Sequence, residues 1–393
     1  MSSVSARLRW LIALTPVFPP LYLAAFAALR YWRLLGSLAR NTIAVYFLTQ
    51  LLAALFTPHP LMSLTLAASR SLFVISLLLA GVAMRDATWL RYLLVGATIV
   101  LSMAFYTSWA NSGGVFFLRR LTHPYYTTVS LALLAVLVIW ILLSWSSGPL
   151  YLKIALAILS VSALAYSGSR GALAALVIGV LAAAAIGRNG RYLLGVVVSM
   201  GLLLTAYFTT ALTRVVAFER LLDLTHLSGR DAIWKGALNA FIAHPLGGVG
   251  PYQLGPWLDT IYNGNCTLWR GLVLAGYRSC PEWLAQLRGV WLIAHNTFLH
   301  SLGETGLIGT VGLLALIIVI GYATIVSKNS LLISIFFGYL TLGLVDNPTA
   351  VPSLHLAEVF WVAGGMALAR SGLAVPLEQG LAVDQDQPGP DPL

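Results

Sequence analysis

The chain has 393 residues, of which 59% are hydrophobic and only 9% charged. Soluble domains carry about 25% charged residues, so this composition excludes a surface that meets water on every side. The formal net charge is +10, from 23 Lys+Arg against 13 Asp+Glu. In a soluble protein that balance points to nucleic acid, but in a membrane protein it is the ordinary mark of cytoplasmic loops. The bilayer, not nucleic acid, is the expected partner.

Apolar runs near the length of a bilayer span, roughly 20 residues, recur along the chain. In order they cover 10–28, 41–57, 64–84, 92–109, 127–146, 151–167, 171–187 and 192–211, then 298–325, 330–345 and 354–370. They are too long and continuous for barrel strands, and helices satisfy their own backbone inside lipid. The predicted fold class is therefore an all-α polytopic membrane protein of about eleven or twelve transmembrane helices. Four regions are expected: an N-terminal transmembrane bundle (1–211), a large polar loop containing amphipathic helices (212–294), C-terminal transmembrane helices (295–376) and a polar, Pro-rich tail (377–393) with a disordered composition. No cleavable signal peptide is expected, because the first apolar run leads straight into further spans.

Orientation follows from the short loops. Threading the spans gathers Arg30, Arg33, Arg40, Arg85, Arg91, Arg188, Arg191, Lys328 and Arg370 on one side, which the positive-inside rule makes cytoplasmic. The C-terminus is then cytoplasmic, and the 212–294 loop and the Ser167–Gly171 turn face outward. Arg7 and Arg9 argue for an inside N-terminus, whereas the count puts it outside. Pro16, Pro19 and Pro20 either break the first run into a re-entrant pair or a span is missing from the count. Arg119 and Arg120 lie outside against the rule, as tolerated exceptions or as an anion-attracting patch.

Three segments carry the candidate chemistry. In Ser167-Gly168-Ser169-Arg170-Gly171, Arg170 sits at a helix N-terminus, the wrong end of the macrodipole for a cation. Free N–H groups, a guanidinium and the hydroxyls of Ser167 and Ser169 suit a phosphate; the alternative is an interfacial arginine snorkelling to lipid headgroups. In Ser228-Gly229-Arg230-Asp231-Ala232-Ile233-Trp234, Ser228 and Asp231 resemble a capping box. Ile233, Ala237, Leu238, Phe241 and Ile242 form an apolar stripe ended by Pro245. Arg230 thus falls in the first turn of an amphipathic helix on the outer membrane face, again at the unfavourable end, unless it pairs with Asp231 or Asp223. Gly247-Gly248-Val249-Gly250 reads as a flexible turn and not a Walker loop, since no Lys-Ser/Thr follows.

The third segment, His295 to Glu304, enters the next span. His295 and Asn296 stand at its mouth, where a neutral imidazole can accept a proton. His300 and Glu304 are i,i+4 partners deeper in the span, either functional or a structural hydrogen-bonded pair. Cys266 and Cys280 share the polar loop and could form a disulfide outside the cytoplasm; otherwise they are two thiols. The loop carboxylates Glu219, Asp223, Asp231, Asp259 and Glu282 form no dense ligand cluster. Asp384-Gln385-Asp386 has a metal-binding form but lies in the tail. No metal and no cofactor are expected.

These segments, in this order, resemble the O-antigen ligase/polymerase superfamily of bacterial membrane glycosyltransferases. The resemblance runs from about residue 112 to 320. It rests on the SGSRG turn at 167–171, Arg230 to Trp234, the Pro245–Gly250 turn and His295 through Gly309, preceded by the GGVFFLRRLTHPYY stretch. It implies a GT-C-like fold in the bacterial inner membrane with the active site facing the periplasm. The donor would be a glycan on undecaprenyl pyrophosphate, transferred without a metal and with inversion to an acceptor hydroxyl. That acceptor is the lipid A–core sugar in ligases and a growing glycan in polymerases, and the His295-to-Gly309 pattern favours a ligase; a monomer is expected. By position, Arg170 and Arg230 would hold the pyrophosphate and His295 would act as base. Ser169, Asn296 and Glu304 would bind donor or acceptor. A transporter is the alternative of a different class, but it predicts midplane charges and internal repeats, whereas here the ionisable residues gather at the outer interface.

Overall fold

The computed structural model describes residues 10, 14–112, 119–212, 217, 219, 230–262, 293–351 and 356–374. Among these residues every regular element is helical. After a turn at residues 15–17, a 3-10 helix spans Pro19–Leu34. There follow α1 (Ser37–Leu55), α2 (Pro60–Met84), α3 (Leu93–Ser112), α4 (Thr128–Ser144), α5 (Leu150–Ser167), α6 (Arg170–Ile186), α7 (Leu193–Leu212), α8 (Arg230–Ala243), α9 (Leu254–Tyr262), α10 (Thr297–Ser327), α11 (Ser330–Gly343) and α12 (Ala357–Arg370).

Each predicted apolar run overlaps one of these helices. Five segments are long and apolar enough to cross a membrane: Ser37–Leu55, Pro60–Met84, Ala87–Ser112, Leu150–Ser167 and Thr297–Ser327. Shorter apolar helices cover Thr128–Ser144, Arg170–Ile186, Gly190–Thr205 and Ser330–Gly343. The protein is an all-α, multi-pass membrane protein. The first run departs most from expectation. Proline fixes φ and favours the first turn of a helix, so the helix restarts at Pro19 and extends to Leu34 rather than ending near residue 28.

Local chemistry sets the ends. Thr127, Ser169, Asn296 and Asn329 cap α4, α6, α10 and α11, each accepting a backbone N–H near the helix start. Gly168 terminates α5 in the left-handed conformation.

The core centres on α4. Residues 130–141 of that helix are all buried, as expected of a helix apolar all round. The Trp140 ring fills the space that a side chain would occupy at Gly179 of α6 and Gly338 of α11. A second crossing joins α2 to α12, where a Cβ on Gly365 would collide with the Leu78 carbonyl and one on Gly81 with that of Val362. Close backbone approach through small residues is how membrane helices gain packing without a hydrophobic drive.

Successive helices alternate between two ends of the bundle. The Ser167–Arg170 turn, the start of α10 and the end of α11 share one end. Arg85, Arg188 and Lys328 follow helix C-termini and Arg370 ends α12 at the other, where Gly36 donates to the Leu373 carbonyl (2.8 Å) beside the Leu35–Ala374 bridge. The Gly365→Ala substitution is expected to lower the thermal midpoint of the detergent-solubilised protein, since forcing a methyl into a closed crossing costs about 1–3 kcal/mol. An unchanged midpoint would show that the crossing is looser than the packing implies.

Candidate active site

The site is organised by a break in α10. Gly306 has φ 57° and ψ −161°, outside helical space, so α10 runs from Thr297 to a discontinuity and then on to Ser327. Such a break frees backbone groups at membrane depth, where none can be left without a partner. The Pro245–Gly250 turn supplies the partners. Leu307 N–H donates to Pro245 O (2.8 Å) and Ile308 N–H to Leu246 O (3.3 Å). In the other direction, Val249 N–H donates to Gly303 O and Gly250 N–H to Glu304 O, each at 2.9 Å.

Glycine is required at this contact for two reasons. Gly248 has φ +68°, and a Cβ there would collide with the Glu304 backbone, while a Cβ on Gly306 would collide with Leu246. The expectation of a flexible turn is therefore corrected. Residues 247–250 are buried, and the turn is a backbone clasp on α10.

The helix ahead of the clasp follows the sequence pattern closely at its ends but not on its faces. α8 starts at Arg230 and ends at Ala243. Ala237 and Ala240 are buried with Leu254, Leu258, Val249 and Ala294, and Ile233 packs on that cluster. Leu238 and Ile242 point away and are exposed, so the predicted stripe splits between a face on α9 and α10 and a face turned outward.

His295 lies just before α10, and its backbone adopts φ 48°. For a residue with a Cβ this left-handed conformation costs of order 1–3 kcal/mol and persists only where the surroundings fix it. Two contacts do so. Trp234 of α8 donates its indole N–H to the His295 carbonyl (3.2 Å), and His295 Nδ1 lies 3.2 Å from Asp346 Oδ1. Asp346 follows α11 and is 1% exposed. Its second oxygen is 3.8 Å from Arg230 Nη2. Gly171, the neighbour of Arg170, packs against Leu342 and Val345, so Arg170 opens α6 beside the chain end that carries Asp346. Arg230 and His295 thus meet at one buried carboxylate that the sequence pattern did not single out, and Arg170 opens α6 beside the same stretch of chain. The signal for Asp346 was an Asp-Asn pair directly after an apolar run, where an ionisable residue is a functional candidate by default.

The remaining predicted residues hold the scaffold. Ser169 is buried and its hydroxyl accepts from Ala172 N–H (3.4 Å), capping α6. Asn296 accepts from the N–H groups of Phe298 (3.0 Å) and Leu299 (2.9 Å) and donates Nδ2 to Leu344 O (2.9 Å), which fastens the start of α10 to the end of α11. Glu304 is 1% exposed and ion-paired with Arg70 of α2, with His300 Nε2 at 3.4 Å from its other oxygen. His300 Nδ1 accepts from Ala294 N–H (3.4 Å). The expected i,i+4 pair is present, but the carboxylate's ion pair comes from another helix. Arg70, in the middle of a predicted span, was a signal left unread.

Arg120, set between two readings, donates to Ser167 O and Thr128 Oγ1, both at 2.7 Å. A cation at the carbonyl end of α5 is favourably placed. The nearby His123 Nδ1 accepts from Tyr125 and Tyr126 N–H (3.1 Å each), and burial pulls its pKa down to about 4. Cys266, Cys280, Asp223, Ser228 and Asp384 lie outside the described residues. Among the described residues no three His, Cys, Asp or Glu side chains converge as metal ligands would.

Below the His295 cluster is a small cavity of about 50 Å³, lined by Arg70, Glu304, His300, Thr297 and Asn347 among others. A water needs about 10–15 Å³ by this kind of measure, so the space suits a few waters and not a sugar.

The double role of Asn296 is testable. Asn296→Ala removes both the cap, worth about 0.5–2 kcal/mol, and the Leu344 contact. Asn296→Asp keeps the cap acceptor and loses only the donor. Thermal midpoints should fall in the order wild type, Asp variant, Ala variant; equal midpoints for both variants would mean that the cap contributes nothing.

Residues 155–314 match the family model described as O-Antigen ligase. No curated protein matches the chain. The matched residues include Arg170, Arg230, His295 and the clasp on α10, so the segment that builds this site is the part of the chain similar to the O-antigen ligase family of membrane glycosyltransferases.

Proposed function

We propose that the protein is an O-antigen ligase that moves a glycan from undecaprenyl pyrophosphate to a sugar hydroxyl of lipid A–core. The observation that carries this reading is the contact set of His295, Asp346 and Arg230 at the mouth of a broken helix. In the proposed reaction the acceptor O–H bond breaks and its proton passes to His295 Nε2. The acceptor oxygen forms the new bond to the anomeric carbon from the face opposite the pyrophosphate. The bond from that carbon to the pyrophosphate oxygen breaks, and undecaprenyl pyrophosphate leaves with the electron pair. One displacement of this kind inverts the anomeric configuration.

Each residue has a physical reason for its role. A carboxylate on Nδ1 fixes the ring and its tautomer and leaves Nε2 for the acceptor proton, as carboxylate–histidine pairs do elsewhere. Arg170 and Arg230 stand at helix N-termini, where N–H groups and guanidinium together favour a pyrophosphate. Charge that grows on the leaving group meets donors already in place. Asp346 holds Arg230 and His295 toward one point until the dianionic donor competes for the arginine. The site end would face the periplasm, since the basic loops stand at the opposite end, and the chain would sit in the bacterial inner membrane. No metal enters this scheme.

Substituting Arg170, Arg230 or His295 by Ala is expected to abolish glycan transfer in cells while membrane expression holds. A general base alone contributes roughly 10²–10⁴-fold, so even His295→Ala should lie near background. Full activity in all three variants would sink the reading. Transfer should also persist in EDTA; a loss restored by a divalent cation would contradict the metal-free scheme. A polymerase of the same superfamily would elongate a lipid-linked glycan and leave lipid A–core unmodified.

A further inference from the structure

We propose that Arg70 is a positioning residue: with Gln50 it staples the two halves of α10 across the break at Gly306 and so sets where His295 stands. The inference rests on the assignment of His295 as the base, and it concerns a residue remote from the reacting atoms.

The need for such a device follows from the break. An unbroken helix would transmit its position from Ser327 to Thr297 through its own hydrogen-bond ladder. At Gly306 that ladder stops. Residues 297–305, which carry His295 on their leading edge, are a short segment whose place must be fixed from outside. The Pro245–Gly250 clasp fixes one side of it through backbone bonds.

Arg70 fixes the other side. Its guanidinium leaves α2 in the third turn, 8% exposed, and pairs with Glu304, two residues before the break. Its other terminal nitrogen donates to Gln50 Oε1 of α1 (3.4 Å). Gln50 in turn donates Nε2 to Gly309 O (2.8 Å), three residues after the break. The path Glu304–Arg70–Gln50–Gly309 therefore bridges the discontinuity through two helices that are themselves continuous. The Tyr252 ring lies 5.3 Å from the guanidinium and covers it, and that residue stands two positions after the clasp. A buried charge pair at this depth is costly unless well satisfied. It is hard to account for as packing alone, since an apolar pair would fill the same space.

The test measures local opening and turnover in the same protein. Full-length Arg70→Met, Arg70→Lys and Gln50→Leu proteins are purified in detergent, and amide hydrogen exchange is followed in peptides covering 293–305 and 310–327. In Arg70→Met the first peptide should exchange at least tenfold faster and the second at the wild-type rate, with Arg70→Lys restoring most of the protection. Gln50→Leu, which keeps the ion pair, should give a smaller change of the same pattern and serves if Arg70→Met does not fold. Turnover per folded protein should fall tenfold or more in Arg70→Met, with KM for the lipid-linked donor unchanged. Wild-type exchange in 293–305 of a folded variant would overturn the proposal, as would equal acceleration of both peptides, which is what a merely structural role produces. Faster exchange in 293–305 alone, with turnover unchanged, would leave the staple standing and contradict the assignment of His295.

Discussion

Backbone hydrogen bonding at membrane depth is the constraint on which this architecture turns. A helix can be interrupted there only if every N–H and C=O released finds another partner inside the protein. The break at Gly306 meets that condition through four bonds to the Pro245–Gly250 turn. The turn docks its backbone directly on α10, and glycine is required because two backbones meet with no room for a Cβ. Glu304 and Gly303, just ahead of the break, are held by that contact, while the His295–Asn296 mouth is also tied to Trp234, Asp346 and Leu344.

Polar chemistry is consequently stacked in two levels. The deeper level, Arg70, Glu304, His300 and Gln50, is buried, its side chains paired with one another and with the Gly309 and Ala294 backbone. The upper level, Arg170, Arg230, His295 and Asp346, stands at the bundle end, with His295 and Arg230 partly open. Thr297 joins them, its hydroxyl donating to Asn347 Oδ1 (3.2 Å) next to Asp346. Under the proposed function, the open upper level would meet a lipid-borne donor and the buried lower level would support it.

Much of this was legible in the sequence because it is written locally. Apolar runs gave the helices, and cations at helix starts marked Arg170 and Arg230. Trp234, four residues after Arg230, is now seen to hold the His295 carbonyl, a contact across 61 positions that spacing cannot reveal. What escaped was of the same long-range kind. Asp346 and Arg70 are single ionisable residues in or beside apolar runs, and only the fold shows that one meets His295 and the other Glu304. The glycine-rich turn was misread as flexible because glycine signals both freedom and close approach, and the sequence does not say which. Ser169, Asn296 and Glu304 were expected to bind donor or acceptor, and the polar contacts they make are with the scaffold. The two cysteines remain outside the described residues.

In the proposed reaction the site brings an acceptor oxygen, a base and a leaving pyrophosphate into line at the membrane surface. The direct measurement is transfer by the purified protein given undecaprenyl-pyrophosphate glycan together with lipid A–core and free O-unit acceptors, with the product linkage read by NMR. The expected result is glycan on lipid A–core with the anomeric configuration inverted relative to the donor. Retention of configuration, or no transfer to any sugar acceptor by the folded protein, would contradict a single displacement driven by His295.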